Sequence, residues 1–211
     1  MIRKYLRFSL CDKCVYLITR RRNGERGEDL KAEEKSHYDS VREERQAYYF
    51  RRTLAHSCPD DYMSVIIDGA DQRAYGAPHF VMRSKKTEGA YKLPMHLMGC
   101  IVHGSQVYGF TYLEHLRAGN NITIEVLHRV LVHQKKIRGG CLPPVLYVQL
   151  DNTASQCKGR YVLGYLALLV LWDIFEDVML SFLPVGHTHE DIGAILFVFL
   201  YLFFAFSCFH Y

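Results

Sequence analysis

The sequence predicts an α/β domain, a mixed sheet flanked by helices, behind a small helical N-terminal segment. Three observations carry this. Three short apolar runs follow one another between residues 62 and 116, which reads as a meander of strands. From residue 121 onward, runs of helical period alternate with strand-like runs. The apolar strand centres end on acids, which puts a site along one edge of the sheet.

The elements follow in order. Residues 1–60 are highly charged, and the second half of "RRRNGERGEDLKAEEKSHYDSVREERQAYYFRR" reads as a helix with a solvated face, rich in Glu, Lys, Arg and Ala. Pro59, Asp60 and Asp61 break it. "YMSVIIDGADQ" reads as a buried strand emerging at Asp68, and "YKLPMHLMGCIVHG" and "QVYGFTYLEHL" as two more, with a hairpin turn at His103 to Gln106. "NITIEVLHRVLVHQKKIR" fits a helix capped near Asn121. "GGCLPPVLYVQLDN" is loop and then a strand ending at Asp151. "KGRYVLGYLALLVLWDIF" reads as a largely buried helix and "DVMLSFLPVG" as the fifth strand. "HTHEDIGAIL" opens another helix with Thr188 as its cap.

The chain has 211 residues, of which 49% are hydrophobic and 23% charged, so it is globular rather than disordered. The net charge of +4 fits a nucleic-acid partner without demanding one. Seven irregularly spaced cysteines and an N-terminus whose apolar runs are broken by charges predict an intracellular protein with reduced thiols and no signal peptide.

Asp68 and Asp151 end the first and fourth strands, and Glu190 and Asp191 open the helix after the fifth. Strands one and four are usual neighbours in a fold of this order, so three carboxylates would converge. They repel one another unless a cation sits between them. Such hard oxygen donors suit Mg²⁺ or Mn²⁺, and a two-metal arrangement serves phosphodiester chemistry. Taken singly, each acid is also ordinary turn chemistry, and Asp71 lies close enough to assist.

"IIDGADQ", "LYVQLDNTASQCKGRY" and "LSFLPVGHTHEDI" together resemble the core motifs of transposon-derived proteins with a ribonuclease H-like, DDE-transposase or integrase-type domain. The resemblance runs from about Phe8 to Ile192. It implies a ribonuclease H-like sheet and a metal-dependent nuclease and strand-transfer core. Matched residue by residue, Asp68 and Asp151 are the first and second acids; the third is Asp191, with Glu190 as the runner-up. His187 would orient a scissile phosphate or act as an outer ligand, with His189 a weaker candidate. The pattern expects one more acid two residues after the third, where this chain has Gly193.

After Gly193 the chain turns apolar: Ala194 to Phe209 carry no charge. As a helix this stretch spans roughly 24 Å, short of a hydrocarbon core. It is expected to be an aberrant, truncated or mis-spliced terminus, because a helix apolar on all sides does not suit a domain surface. A membrane anchor is the rival. The expected units are therefore a charged segment over 1–60, the α/β domain over 61–193 and a hydrophobic tail over 194–211.

Cys11 and Cys14 form a C-x-x-C pair whose spacing lets two thiolates share one zinc. His37, His56 and Cys58 are further candidate ligands, with His37 first. Cys100, Cys141 and Cys157 read as packed or loop thiols. Arg83 to Lys86, His133 to Arg138, and Lys158 with Arg160 are short basic clusters that would meet phosphates or simply face water. The expected function is thus metal-dependent DNA cleavage or strand transfer by ancestry, inactive or truncated here, in the nucleus, with DNA and a second copy of the chain as partners. The alternatives are a catalytically dead nucleic-acid-binding or scaffold protein, and a membrane protein anchored through 194–209.

Overall fold

Residues 11–70, 76–77, 85, 89, 91–116, 119–150, 159–182, 192–196 and 198–199 are described in the computed structural model. The chain begins as a helical hairpin. Helix α1, Asp12–Arg22, turns at Gly24, whose φ of +90° suits a residue without a Cβ, and α2, Glu28–Ser57, packs back along it. Helix α2 has 30 residues and so extends about 45 Å. Its first part meets α1. Farther on it reaches the sheet, where Tyr48 is buried and Ala55 closes against the turn at Gly104.

Six strands follow: β1 Tyr62–Gly69, β2 Gly76–Ala77, β3 Leu93–Val102, β4 Val107–Leu113, β5 Val145–Leu150 and β6 Asp177–Phe182. The five longer ones lie in the order β4-β3-β1-β5-β6. β3 runs antiparallel to both β1 and β4, while β1, β5 and β6 are mutually parallel. Each parallel step needs a crossover. Helix α3, Asn120–Ile137, joins β4 to β5, and α4, Arg160–Leu171, joins β5 to β6.

Side chains alternate between the two faces of a strand, and the core divides accordingly. Met63, Val65 and Ile67 of β1, Cys100 of β3 and Leu146, Val148 and Leu150 of β5 point to one face, where Leu127 and Val130 of α3 and Val162 and Leu166 of α4 cover them. Ile66 of β1 and Leu97 and Ile101 of β3 point to the other, beneath Tyr48 of α2 and Ile192 and Leu196.

The α/β class, the meander, the following alternation and the helical N-terminal segment are all present. Helix α1 lies in that segment, with Cys11 accepting the Cys14 N–H at the helix start. Two particulars differ from expectation. Helix α3 starts at Asn120 with Gly119 in the cap position, so Asn121 is no cap. Helix α4 buries one stripe only. Val162, Leu166 and Leu169 face the sheet, while Leu171 and Trp172 stay 73% and 64% exposed. Residues 192–196 form one helical stretch.

Candidate functional site

The first cluster is local in origin. Three residues apart at the start of α1, Cys11 and Cys14 bring their sulfurs together, and both are buried. His37 projects from α2 with its Nε2 3.4 Å from Cys11 Sγ and 3.2 Å from Cys14 Sγ. The three ligand atoms lie within 4.8 Å of one another, so the group could hold a metal ion. Burial and the neighbouring Cys11 raise the Cys14 thiol above its ordinary pKa; burial and Cys14 raise the Tyr38 hydroxyl likewise. A cation among the sulfurs would reverse that cost by stabilising the thiolates. Around the cluster, Lys13 pairs with Glu33, Arg20 with Glu25 and Glu33 at 2.7 and 2.8 Å, and Arg21 with Glu34 at 2.7 Å.

His56 and Cys58 do not join this group. A straight helix carries His56 roughly 28 Å beyond His37. There its ring lies 6.4 Å from that of His103, beside the Gly104 turn. Cys100 is a packed core thiol, pushed upward in pKa by burial, and Cys141 is exposed.

The second site is the carboxylate edge. Asp68 is half-buried near the end of β1, where its Oδ1 accepts the Gly69 N–H at 2.8 Å. It opposes Gly99 in β3. On the other side of β1, Ile67 is level with Leu150, the residue before Asp151. Asp151, His187, His189, Glu190 and Asp191 lie outside the described residues, as do Asp71, Lys158 and Thr188. The chain resumes at Ile192, directly after Asp191. Ile192 is buried with Ile66 and Ile101, and its Cγ1 lies 3.6 Å from where a Cβ on Gly99 would stand.

Two polar networks on this face gave no sequence signal, because their members lie far apart in the chain. Arg51 donates to Ser181 Oγ at 2.7 Å, and Ser181 Oγ donates to Gln149 Oε1 at 2.8 Å. Arg51 also lies 5.9 Å over the Tyr147 ring, which stacks on Tyr62. Gln149 is buried two residues before Asp151, and its Nε2 has no partner among the described residues. In the second network, the His103 ring bridges Ser64 Oγ at 2.9 Å and Tyr48 Oη at 3.0 Å, all three buried. It ties α2 to the sheet.

Of the basic clusters, Arg160 lies over the ring of its neighbour Tyr161, and Lys135 and Lys136 stand in the last turn of α3, where they suit the helix dipole. Among the described residues no helix is long and apolar enough to cross a membrane.

A family model described as a domain of unknown function (DUF7869) matches residues 85–199, more than half of the chain. No curated protein and no solved structure matches it.

Proposed function

The chain belongs to the DUF7869 family, and from that premise we propose that its sheet is a ribonuclease H-like core of transposase descent, built for metal-dependent cleavage or strand transfer of DNA. One observation carries the reading. A meander of three antiparallel strands has its first strand at the centre, with the fourth and fifth added in parallel, and the acids of the sequence fall at the ends of strands one and four. Ile67 and Leu150 are level on adjacent parallel strands, and in the sequence they are followed by Asp68 and Asp151. Ile192 against Gly99 brings the chain back beside Asp68, with Asp191 one residue earlier and Glu190 and His187 just before it.

The donor set fits Mg²⁺ or Mn²⁺, which favour carboxylate oxygens. Asp68, Asp151 and Asp191 would hold the ions, and bound metal would activate a water or hydroxyl and stabilise the leaving oxygen. His187 would orient the phosphate. Cys11, Cys14 and His37 would hold a structural zinc that staples α1 to α2, away from the chemistry. DNA is the partner, a second copy of the chain is expected in strand transfer, and the nucleus is the compartment that this substrate implies.

A second reading, a catalytically dead nucleic-acid-binding scaffold, is favoured by Gly193. It stands where the pattern expects another acid, and it is exposed with open space around it. Anchoring in a membrane through 194–209 competes with the packing of Leu196 and Phe199 on the sheet. Calorimetric titration of Mn²⁺ into the full chain tests the choice. Binding that Asp151→Asn abolishes supports the nuclease core; a folded wild type that takes up no Mn²⁺ at these acids leaves the scaffold.

A further inference from the structure

The apolar stretch after Gly193 meets the sheet at two glycines. Gly99 of β3 and Gly109 of β4 are register partners, so they lie side by side on one face. A Cβ on Gly99 would stand 2.8 Å from Leu196 Cδ2 and 3.6 Å from Ile192 Cγ1. One on Gly109 would stand 3.4 Å from the Phe199 ring. Ile192, Leu196 and Phe199 follow helical spacing, so they descend on one side of the segment onto that pair. Leu196 is 6% exposed, and Ile192 is 1% exposed. Gly99 has a third neighbour relation that matters: its partner in β1 is Asp68. Glycine weakens a strand interior, and a close approach by another element is a reason to keep one there.

We propose that Gly99 and Gly109 are positioning residues: together they form a side-chain-free trough that seats Leu196 and Phe199, and so fixes Ile192 beside Asp68, on which metal binding at the sheet edge depends. This rests on the metal-site reading above and deepens it. The apolar stretch up to Phe199 is then a working part of the domain, holding Ile192 against β3 beside Asp68. The trough explains why β3 and β4 each carry a glycine where they face one another. It also gives the apolar segment an intramolecular partner.

The test fills the trough and then empties it again. In Gly99→Val the added methyls collide with Leu196. In Gly99→Val/Leu196→Ala the volume is returned, since the swap roughly conserves the side-chain bulk at the contact. Two readouts on the full chain separate the steps. Amide hydrogen exchange at residues 192–199 reads the seat, and Mn²⁺ affinity by calorimetry reads the positioning. Gly99→Val is expected to lose protection there and to bind Mn²⁺ at least about tenfold more weakly, the scale seen when a ligand's supporting contacts are removed. The double variant is expected to recover both. Unchanged protection in Gly99→Val overturns the seat. Lost protection with unchanged Mn²⁺ affinity overturns the positioning. If Gly99→Val gives no cooperative melt, Leu196→Ala takes its place, removing the knob without adding bulk, and wild-type Mn²⁺ affinity in it overturns the positioning. Wild type that binds no Mn²⁺ takes down the nuclease reading and the positioning with it, while the exchange data still decide whether the seat exists.

Discussion

The helical hairpin and the sheet share α2 yet are held in opposite ways. The sheet rests on a buried apolar cluster of 17 residues drawn from three strands, two helices and, through Phe175, the connection after α4. Among the described residues, the hairpin away from the sheet buries Leu17, Leu30, Val41 and its two cysteines. Its visible ties are ion pairs between exposed and partly exposed side chains, which solvent screens. A unit so poor in core needs a staple, and the Cys11–Cys14–His37 group is placed to be one. The difference teaches where to look for a structural metal: in the hairpin, where the buried core is thin.

The largest effect should come from breaking the staple. Structural zinc contributes about 10–16 kcal/mol in small zinc peptides. Chelation, or Cys14→Ser, is expected to remove bound zinc and the helicity of α1 while the sheet keeps its cooperative melt. Metal analysis and far-ultraviolet circular dichroism would check it. Purified protein that contains no zinc, or whose dichroism ignores a chelator, would show that the hairpin stands without a metal.

The complementary break is in the sheet. Leu146 is fully buried between α3, α4 and neighbouring strands. Leu146→Ala is expected to cost about 2–5 kcal/mol, the range for deleting a leucine side chain in a packed core. Denaturant unfolding followed by near-ultraviolet dichroism measures it. Zinc binding by the hairpin should be untouched; a coupled loss would mean that α2 transmits sheet stability to the metal group.

How legible all this was in the sequence depended on the range of the interaction. Strands such as Val65-Ile66-Ile67 and the periodic α3 announce themselves locally, and so did the pair Cys11 and Cys14. Asp68 was visible because a carboxylate ends an apolar run. What was hidden is tertiary. Gly99 and Gly109 are neighbours only through strand register. Ser64, His103 and Tyr48 meet from three separate elements. The exposed side of α4 has no signature in the sequence, because a helix whose one charge is its first residue, Arg160, looks buried all round although only one stripe of it finds the sheet. His56 and Cys58 were plausible zinc ligands until a long straight helix carried them away from His37.

The smallest expected effect concerns pH, and it has opposite signs in the two regions. In the hairpin, the hydrogen bond from Lys13 lowers the Glu33 carboxyl below its ordinary value, and Arg20 adds to this. A lowered carboxyl contributes stability above the ordinary carboxylate range, and that contribution is lost as pH falls through the folded value. Over the sheet, burial pushes the Tyr165 hydroxyl up from 10.0 to about 12, and burial raises Tyr108, Tyr112 and Tyr147 in the same direction. The folded state then holds protons that the unfolded chain gives up. Sheet stability is complete below pH 10 and declines as pH rises from there toward 12. The acid limb should weaken in Glu33→Gln, and the alkaline limb should weaken in Tyr165→Phe, which removes the hydroxyl that lies 3.1 Å from His128 Nδ1. Thermal melts across pH, followed separately by a hairpin probe and a sheet probe, would show the two limbs. Identical profiles at both probes would mean that α2 binds the hairpin and the sheet into one cooperative unit, and the contrast between them would be one of composition alone.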